Sequence, residues 1–214
     1  MKIGILGSGD VGQSLGNGFL ATGHEVKIGS REAGNLKAKA WAEKAGPRAS
    51  TGTFAQAASF AEVAVLATLW SGTENALSLA GAKNLAGKVL IDATNPLVFT
   101  PGQPPALALG HTDSGGEQVQ RWLPETRVVK AFNTVGHAHM VNPDFPGGPP
   151  DMFICGNDAE AKKVVTGLLE AFGWPAIDTG GIEGARLLEP LCILWVLYAL
   201  RAGTWTHAFK LLRK

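Results

Sequence analysis

The chain has 214 residues, a formal net charge of +1 and 45% hydrophobic residues. This length allows one large domain, or one domain with a small appendage, and excludes two full domains. The basic residues are scattered, which argues against nucleic acid as a partner. Cys155 and Cys192 lie far apart in sequence without a CxxC motif, so neither a metal site nor a disulfide framework is predicted. The N-terminus leads directly into a strand without the pattern of a signal peptide, so we expect a cytoplasmic protein.

The first element is an apolar strand at residues 2–6 that leads into a glycine-rich turn and a helix at 11–21. The turn reads Gly7-Ser8-Gly9-Asp10-Val11-Gly12, the spacing of a dinucleotide-binding turn. Gly7 allows the tight turn, Gly9 lets the backbone approach a pyrophosphate, and Gly12 allows close helix–strand packing. The free N–H groups and the dipole of the helix N-terminus favour a phosphate. The alternative is a purely structural turn.

The second strand, at residues 25–28, ends in the sequence Gly29-Ser30-Arg31. An NAD-binding protein places an acidic residue there for the ribose 2′-hydroxyl. A serine hydroxyl and a guanidinium group instead favour a 2′-phosphate, so we predict NADP(H). Glu32 follows directly, and one residue after Arg31 its side chain could point to solvent. In the alternative interpretation, Arg31 is only a solvated capping charge.

Short apolar runs alternate with helical patterns along the rest of the chain, which predicts a parallel sheet covered on both faces. Further strands are predicted near 62–67, 88–92, 126–131, 151–155 and 175–178, and further helices near 35–45, 72–81, 115–121, 158–172 and 184–200. The predicted fold is a Rossmann-type doubly wound parallel sheet formed by residues 1–135. Residues 136–214 are predicted to form a small C-terminal α/β extension that ends in an apolar helix and serves the substrate site and dimerisation.

Three later strand ends carry neutral polar groups that would meet at the carboxyl edge of the sheet. Such groups suit a nicotinamide carboxamide and riboses. The predicted cofactor contacts at these ends are Thr68, Leu69, Trp70, Asn95, Pro96 and Asn133. Asn95 before Pro96 has an alternative interpretation as a turn-forming residue. The loops at 96–110 and 142–150 are rich in Pro and Gly and follow the same edge, where ligands bind in open α/β sheets.

No catalytic side chain is predicted. His111, His137 and His139 show no Ser-His-Asp, Cys-His or paired-carboxylate pattern, and Lys130 at a strand end is more often structural than an acid. Hydride transfer between two bound cofactors requires proximity and alignment with little proton chemistry. The absence of an acid–base pair is therefore consistent with an oxidoreductase.

The segment 187–200 is apolar almost all round. It is shorter than the roughly 20 residues of a membrane span and contains Glu189 and Pro190, so a buried helix explains it better than a membrane anchor. Little chain remains to cover this helix. We therefore predict that it packs against a second subunit in a homodimer.

The chain resembles the NADPH:coenzyme F420 oxidoreductases, also called F420-dependent NADP reductases. The resemblance covers nearly the whole chain and rests on the glycine turn, on Gly29-Ser30-Arg31, and on the segments 92–97, 129–134 and 155–158. It implies a dimer that moves a hydride between NADP(H) and a deazaflavin, with Ser8 at the pyrophosphate and Ser30 and Arg31 at the 2′-phosphate. Family members often carry a further basic residue after that arginine. This chain has Glu32 and Asn35 there, with Lys37 nearby.

The leading hypothesis is an NADPH-dependent oxidoreductase whose second substrate is a flat, flavin-like molecule, with coenzyme F420 as the best single candidate. The same nucleotide domain resembles that of STEAP-type metalloreductases, so a flavin or ferric reductase is one alternative. A non-catalytic NADP(H) sensor that signals through its dimer surface is the other.

Overall fold

The computed structural model describes residues 1–214 and contains one large sheet with helices on both faces. The strands are β1 (Lys2–Leu6), β2 (Glu25–Ser30), β3 (Ala49–Thr53), β4 (Val63–Leu66), β5 (Val89–Asp92), β6 (Leu97–Val98), β7 (Ala106–Leu107), β8 (Arg127–Lys130), β9 (Met152–Gly156) and β10 (Ala176–Asp178). The helices are α1 (Asp10–Ala21), α2 (Leu36–Ala45), α3 (Phe54–Phe60), α4 (Trp70–Ala80), α5 (Ala82–Leu85), α6 (Gly115–Trp122), α7 (Ala159–Ala171) and α8 (Ala185–Ala202).

The large sheet has eight strands in the order β10-β9-β8-β5-β4-β1-β2-β3. The strands from β8 through β3 in this order all run parallel, as the alternation of apolar runs and helices predicted. The pair β8–β9 is antiparallel, with Val129 opposite Gly156, so β9 and β10 run against the other six strands. β6 and β7 form a separate two-stranded hairpin. The fold is thus a mostly parallel Rossmann-type α/β sheet, which confirms the predicted fold class.

The structure contains one strand and one helix of the main layers that the sequence analysis missed. β3 reads Ala-Ser-Thr-Gly-Thr and has a single apolar residue, so a search for apolar runs passes over it. It can be polar because it lies at the edge of the sheet. α3 begins with a capping box in which Thr53 and Gln56 satisfy each other's backbone N–H groups. Each predicted element is present, with ends shifted by no more than two residues.

Two apolar cores lie on opposite faces of the sheet. One packs α1, α2 and α7 against the strands and includes Phe19, Trp41 and Phe172. The other packs α3, α4, α6 and the start of α8, and includes Leu66 and Leu188. Both faces of the central strands are covered, so every residue of β4 and β5 is buried.

α8 is the longest helix, and only part of its apolar surface is covered. Leu188, Cys192 and Trp195 are buried, whereas the side chains of Leu187 and Leu194 are 73% and 56% exposed. No helix in the structure combines the length and apolar character needed to cross a membrane.

Candidate functional site

A cleft of about 910 Å³ lies at the carboxyl edge of the parallel strands, over the turn between β1 and α1. It is bounded by the glycine turn, by the ends of β4 and β5, and by residues from α2, α3 and α4. The lining residues are Gly7, Ser8, Gly9, Asp10, Val11, Arg31, Lys37, Phe54, Ala67, Thr68, Leu69, Ser71, Gly72, Asn75, Ala93 and His137. This is the edge at which open α/β sheets bind ligands.

The three glycines of the turn occupy different environments. Gly7 has φ +139° and lies against the carbonyl of Ala67, so a Cβ there would be strained and would overlap backbone. A Cβ on Gly12 would overlap the carbonyl of Gly7. Gly9 instead faces open space and caps α1 without any side-chain hydrogen bond to the helix amides. The first turn of α1 therefore presents its N–H groups to the cleft, an arrangement that suits a phosphate.

Two basic side chains lie at the part of the cleft where β2 ends and α2 begins. Arg31 and Lys37 both line it. Ser30 does not line the cleft. Its buried hydroxyl donates to the carbonyl of Glu32 at 2.6 Å and so braces the turn that carries Arg31. Glu32 is exposed and is not part of the cleft wall.

Of the three residues predicted as cofactor contacts at the end of β4, Thr68 and Leu69 line the cleft and Trp70 does not. The ring of Trp70 stacks on that of Trp122 with centroids 5.7 Å apart. It also packs against Gly115, where a Cβ would lie 3.2 Å from the indole. The indole ring of Trp70, at the start of α4, therefore packs against α6 and lies outside the cleft wall.

Asn95 and Asn133 bind each other just beyond the cleft. Asn95 Nδ2 donates to the carbonyl of Asn133 at 2.8 Å, and Asn133 Nδ2 donates to Asn95 Oδ1 at 3.0 Å. Asn133 Nδ2 also donates to the carbonyl of Leu188 in α8, at 2.9 Å. We call this pair of side chains the Asn95–Asn133 amide pair. Ala93, two residues before Asn95, lines the cleft.

Of the fourteen residues predicted to contact the cofactor, eight line the cleft, namely Gly7, Ser8, Gly9, Asp10, Val11, Arg31, Thr68 and Leu69. The six that do not are Gly12, Ser30, Trp70, Asn95, Pro96 and Asn133. Four further lining residues were not predicted as cofactor contacts. Phe54 belongs to α3, which has no predicted counterpart, and Ser71, Gly72 and Asn75 lie in the first turns of α4. A helix N-terminus that follows a strand end was the available signal for the last three.

His137 also lines the cleft, from a short 3₁₀ turn at His137–His139. Its Nδ1 lies 3.2 Å from the hydroxyl of Ser14 in α1. The histidine pattern in the sequence indicated no role for this residue, and only the packing of the turn against α1 brings it to the cleft.

Three charged side chains near the Asn95–Asn133 amide pair have almost no solvent exposure, namely Asp92, Lys130 and Glu189. We call these three side chains the buried ion cluster. Lys130 Nζ lies 2.8 Å from Asp92 Oδ2 and 3.1 Å from Glu189 Oε1. Burial disfavours the ammonium ion, but the two carboxylates outweigh it and raise the pKa of Lys130. Lys130 therefore stays charged and is no proton donor near neutral pH.

The cysteines and the acidic residues show no reactive or metal-binding arrangement. Burial raises the pKa of both Cys155 and Cys192 to about 12, so neither thiol ionises near neutral pH. No group of three or more His, Cys, Asp and Glu side chains is placed to hold a metal ion.

Comparison with known proteins gives consistent results. Residues 2–96 match the family described as NADP oxidoreductase, coenzyme F420-dependent. The chain is 35% identical to an F420-dependent NADP reductase from Methanocaldococcus jannaschii, with 92% of this chain and 91% of that protein aligned. It is 33% identical to the metalloreductase STEAP3 of Rattus norvegicus over 99% of this chain, but it spans only 42% of the length of that protein.

A crystal structure from Arthrobacter sp. FB24, of a protein provisionally named an F420-dependent NADP reductase, superimposes with a TM-score of 0.93 at 41% identity, and the alignment covers 100% of both chains. Because a full-length relative exceeds 30% identity and the whole fold is shared, the chain belongs to the F420-dependent NADP reductase family.

Proposed function

We propose that this protein transfers a hydride between NADP(H) and coenzyme F420. The observation that carries the proposal is the cleft, which combines a glycine turn at an uncapped helix N-terminus with two cations at the end of β2. The family relatives named F420-dependent NADP reductases support the choice of acceptor.

The preference for NADP(H) over NAD(H) rests on Arg31 and Lys37. No carboxylate lines the cleft at the end of β2, where NAD-binding proteins carry one. A guanidinium group and an ammonium group are both charged hydrogen-bond donors for a phosphate. Lys37 lies in the first turn of α2 and supplies the second basic residue that the positions directly after Arg31 lack. We therefore place the 2′-phosphate between these two side chains.

The remaining contacts that we propose follow the cleft toward β5. The amides of Gly9, Asp10 and Val11 and the hydroxyl of Ser8 would hold the pyrophosphate, and Thr68 and Leu69 would contact the adjoining ribose. When bound, NADPH supplies a hydride from its nicotinamide ring. The chain's own residues bind and orient the two ring systems, since no side chain at the cleft is arranged as an acid–base pair.

We propose that the N-terminal and C-terminal parts of the chain have different roles. Residues 1–135 would hold the dinucleotide, and residues 136–214 would complete the acceptor side and the dimer surface. His137 at the cleft and the hydrogen bond from Asn133 to Leu188 support the first of these two roles for the C-terminal part. The free thiols of Cys155 and Cys192 are consistent with the reducing conditions of the cytoplasm, where we place the protein.

We expect NADPH to be oxidised rapidly in the presence of F420 and slowly with FMN, FAD or ferric chelates. Stopped-flow loss of NADPH absorbance with each acceptor measures this, and reactions without protein give the background. Preferred turnover of ferric chelates through FMN or FAD would instead favour a reductase like the STEAP proteins. Tight NADPH binding without turnover of any acceptor would favour a sensor.

We also propose a homodimer formed through α8. Its exposed apolar side chains include Leu187, Leu194 and Tyr198, and solvent-exposed apolar patches of this kind mark interfaces. We expect light scattering at micromolar concentration to give twice the monomer mass. Leu194→Glu should shift the mass toward the monomer, because it places a charge in the interface. Leu79→Glu, at an exposed leucine of α4, is the matched control and should leave the mass unchanged. A wild-type monomer would contradict the dimer.

A further inference from the structure

We propose that the buried ion cluster sets the position of the Asn95–Asn133 amide pair, and through it the alignment of the hydride donor and acceptor. The second half of this statement rests on the proposed function and on the place of Asn95, which lies two residues after Ala93 of the cleft wall. Lys130 and Glu189 are then positioning residues, which act through the amide pair without touching either substrate.

The burial of the cluster excludes a direct role. The side chains of Asp92 and Lys130 are 0% exposed and that of Glu189 is 1% exposed. None of the three lines the cleft. Buried ion pairs often contribute little net stability relative to apolar replacements, and in some proteins they instead specify one arrangement of the structure.

The cluster holds Thr94, the residue directly before Asn95, by three hydrogen bonds. Lys130 Nζ donates to the carbonyl of Thr94 at 2.8 Å. The backbone N–H and the hydroxyl of Thr94 donate to Asp92 Oδ1 at 2.9 and 2.6 Å. Asp92 and Lys130 are themselves neighbours across the last register position of β5 and β8. The backbone at Asn95 is therefore attached to the sheet edge through charged side chains.

Glu189 connects the same cluster to two helices. Its carboxylate accepts the N–H groups of Gly115 and Gly116 at 2.8 and 2.9 Å, so it occupies the N-terminus of α6. The backbone there is tightly packed, because a Cβ on Gly115 would lie 3.0 Å from Glu189 Oε1 and one on Gly116 would lie 2.9 Å from Ala185 Cβ and 3.1 Å from Lys130 Cε. Leu188, the residue before Glu189, accepts the hydrogen bond from Asn133. The position of α8 thus determines where Asn133 points.

The amide pair itself shows that these constraints act on it. Asn133 Oδ1 is buried and accepts no hydrogen bond from another residue of the chain. Both hydrogens of Asn133 Nδ2 are directed to Asn95 and Leu188, which fixes the side chain. Since small displacements at a reacting centre can slow a reaction by about a hundredfold, loss of this positioning should appear in the hydride-transfer step.

The test compares Lys130→Met and Glu189→Gln with the control Glu160→Gln, which removes the charge of an exposed helical glutamate. Glu189→Gln keeps the shape of the side chain but turns an NH₂ group toward another donor. Three quantities are measured on folded protein: the NADPH dissociation constant, the single-turnover rate of hydride transfer to F420, and hydrogen exchange of the assigned Asn95 and Asn133 side-chain amides by NMR.

We expect NADPH affinity to stay within about twofold, hydride transfer to slow at least tenfold, and exchange of both side-chain amides to speed up at least tenfold in the two cluster variants. Unchanged amide exchange in a folded variant would overturn the inference, as would failure of both variants to fold, since the cluster would then act only in stability. If the wild-type protein transfers no hydride to F420, the proposed function fails, and the amide exchange still decides whether the cluster positions the pair.

Discussion

Replacement of Arg31 by Ala is expected to weaken NADPH binding about tenfold to a hundredfold and to change NADH binding by no more than about twofold. Charged hydrogen bonds contribute roughly 1.5 to 3 kcal/mol each, and only NADPH carries the 2′-phosphate that would accept them. Lys37→Ala should act in the same direction with a smaller effect, because an ammonium group makes no bidentate contact. Equilibrium titration of the two cofactors by fluorescence measures both changes.

Lys39→Ala is the matched control for Lys37, since it removes an exposed lysine from the same helix that does not line the cleft. It should leave both affinities unchanged. Equal losses of NADPH and NADH affinity in the Arg31 variant would contradict the assignment of the 2′-phosphate to this end of the cleft.

Lys130→Met is expected to lower the free energy of unfolding by about 3 to 5 kcal/mol, because it leaves two buried carboxylates without their counter-ion. For a chain of this length the melting temperature should fall by roughly 6 to 20 °C. Thermal unfolding followed by circular dichroism measures the shift. The cause is the unpaired charge of Asp92 and Glu189, both of which face the ammonium group in the wild-type protein.

Lys162→Met is the control for that experiment. Lys162 pairs with Asp178, whose side chain is 52% exposed, so the partner left behind remains hydrated. Its loss should cost no more than about 1 kcal/mol. A similar melting temperature for the Lys130 and Lys162 variants would show that water reaches the buried ion cluster.

The parallel core of the fold could be predicted because its evidence is local. The apolar strands β1, β4 and β5 and the glycine turn each show their pattern within a few residues. β3 could not be predicted, because an edge strand that is mostly half-buried needs no apolar run. The antiparallel direction of β9 was also beyond a periodicity argument, since strand direction depends on how the connection between β8 and β9 crosses the sheet.

The candidate site likewise contains residues that local sequence identifies and residues that only tertiary packing brings to the cleft. Gly7, Gly9 and Arg31 were identified from spacing alone, since strand, turn and helix are contiguous there. Trp70 lies outside the cleft wall because its ring packs on Trp122, a residue that comes close only when α4 and α6 share a face of the sheet. His137 reaches the cleft for a comparable reason, through the packing of its turn against α1.

The sequence by itself determined the dinucleotide turn, the cation at the end of β2 and the mostly parallel sheet, because each depends on residues adjacent in the chain. Only the tertiary structure decided that Lys37 joins Arg31 at the cleft, and that Glu189 meets Lys130 and Asp92 beneath the Asn95–Asn133 amide pair. A lysine at a strand end has the same local pattern whether it is solvated or buried. Its charge is buried because Asp92 of the neighbouring strand lies 2.8 Å from the ammonium group, and because the packing of α8 brings Glu189, 59 residues further along the chain, within 3.1 Å of it.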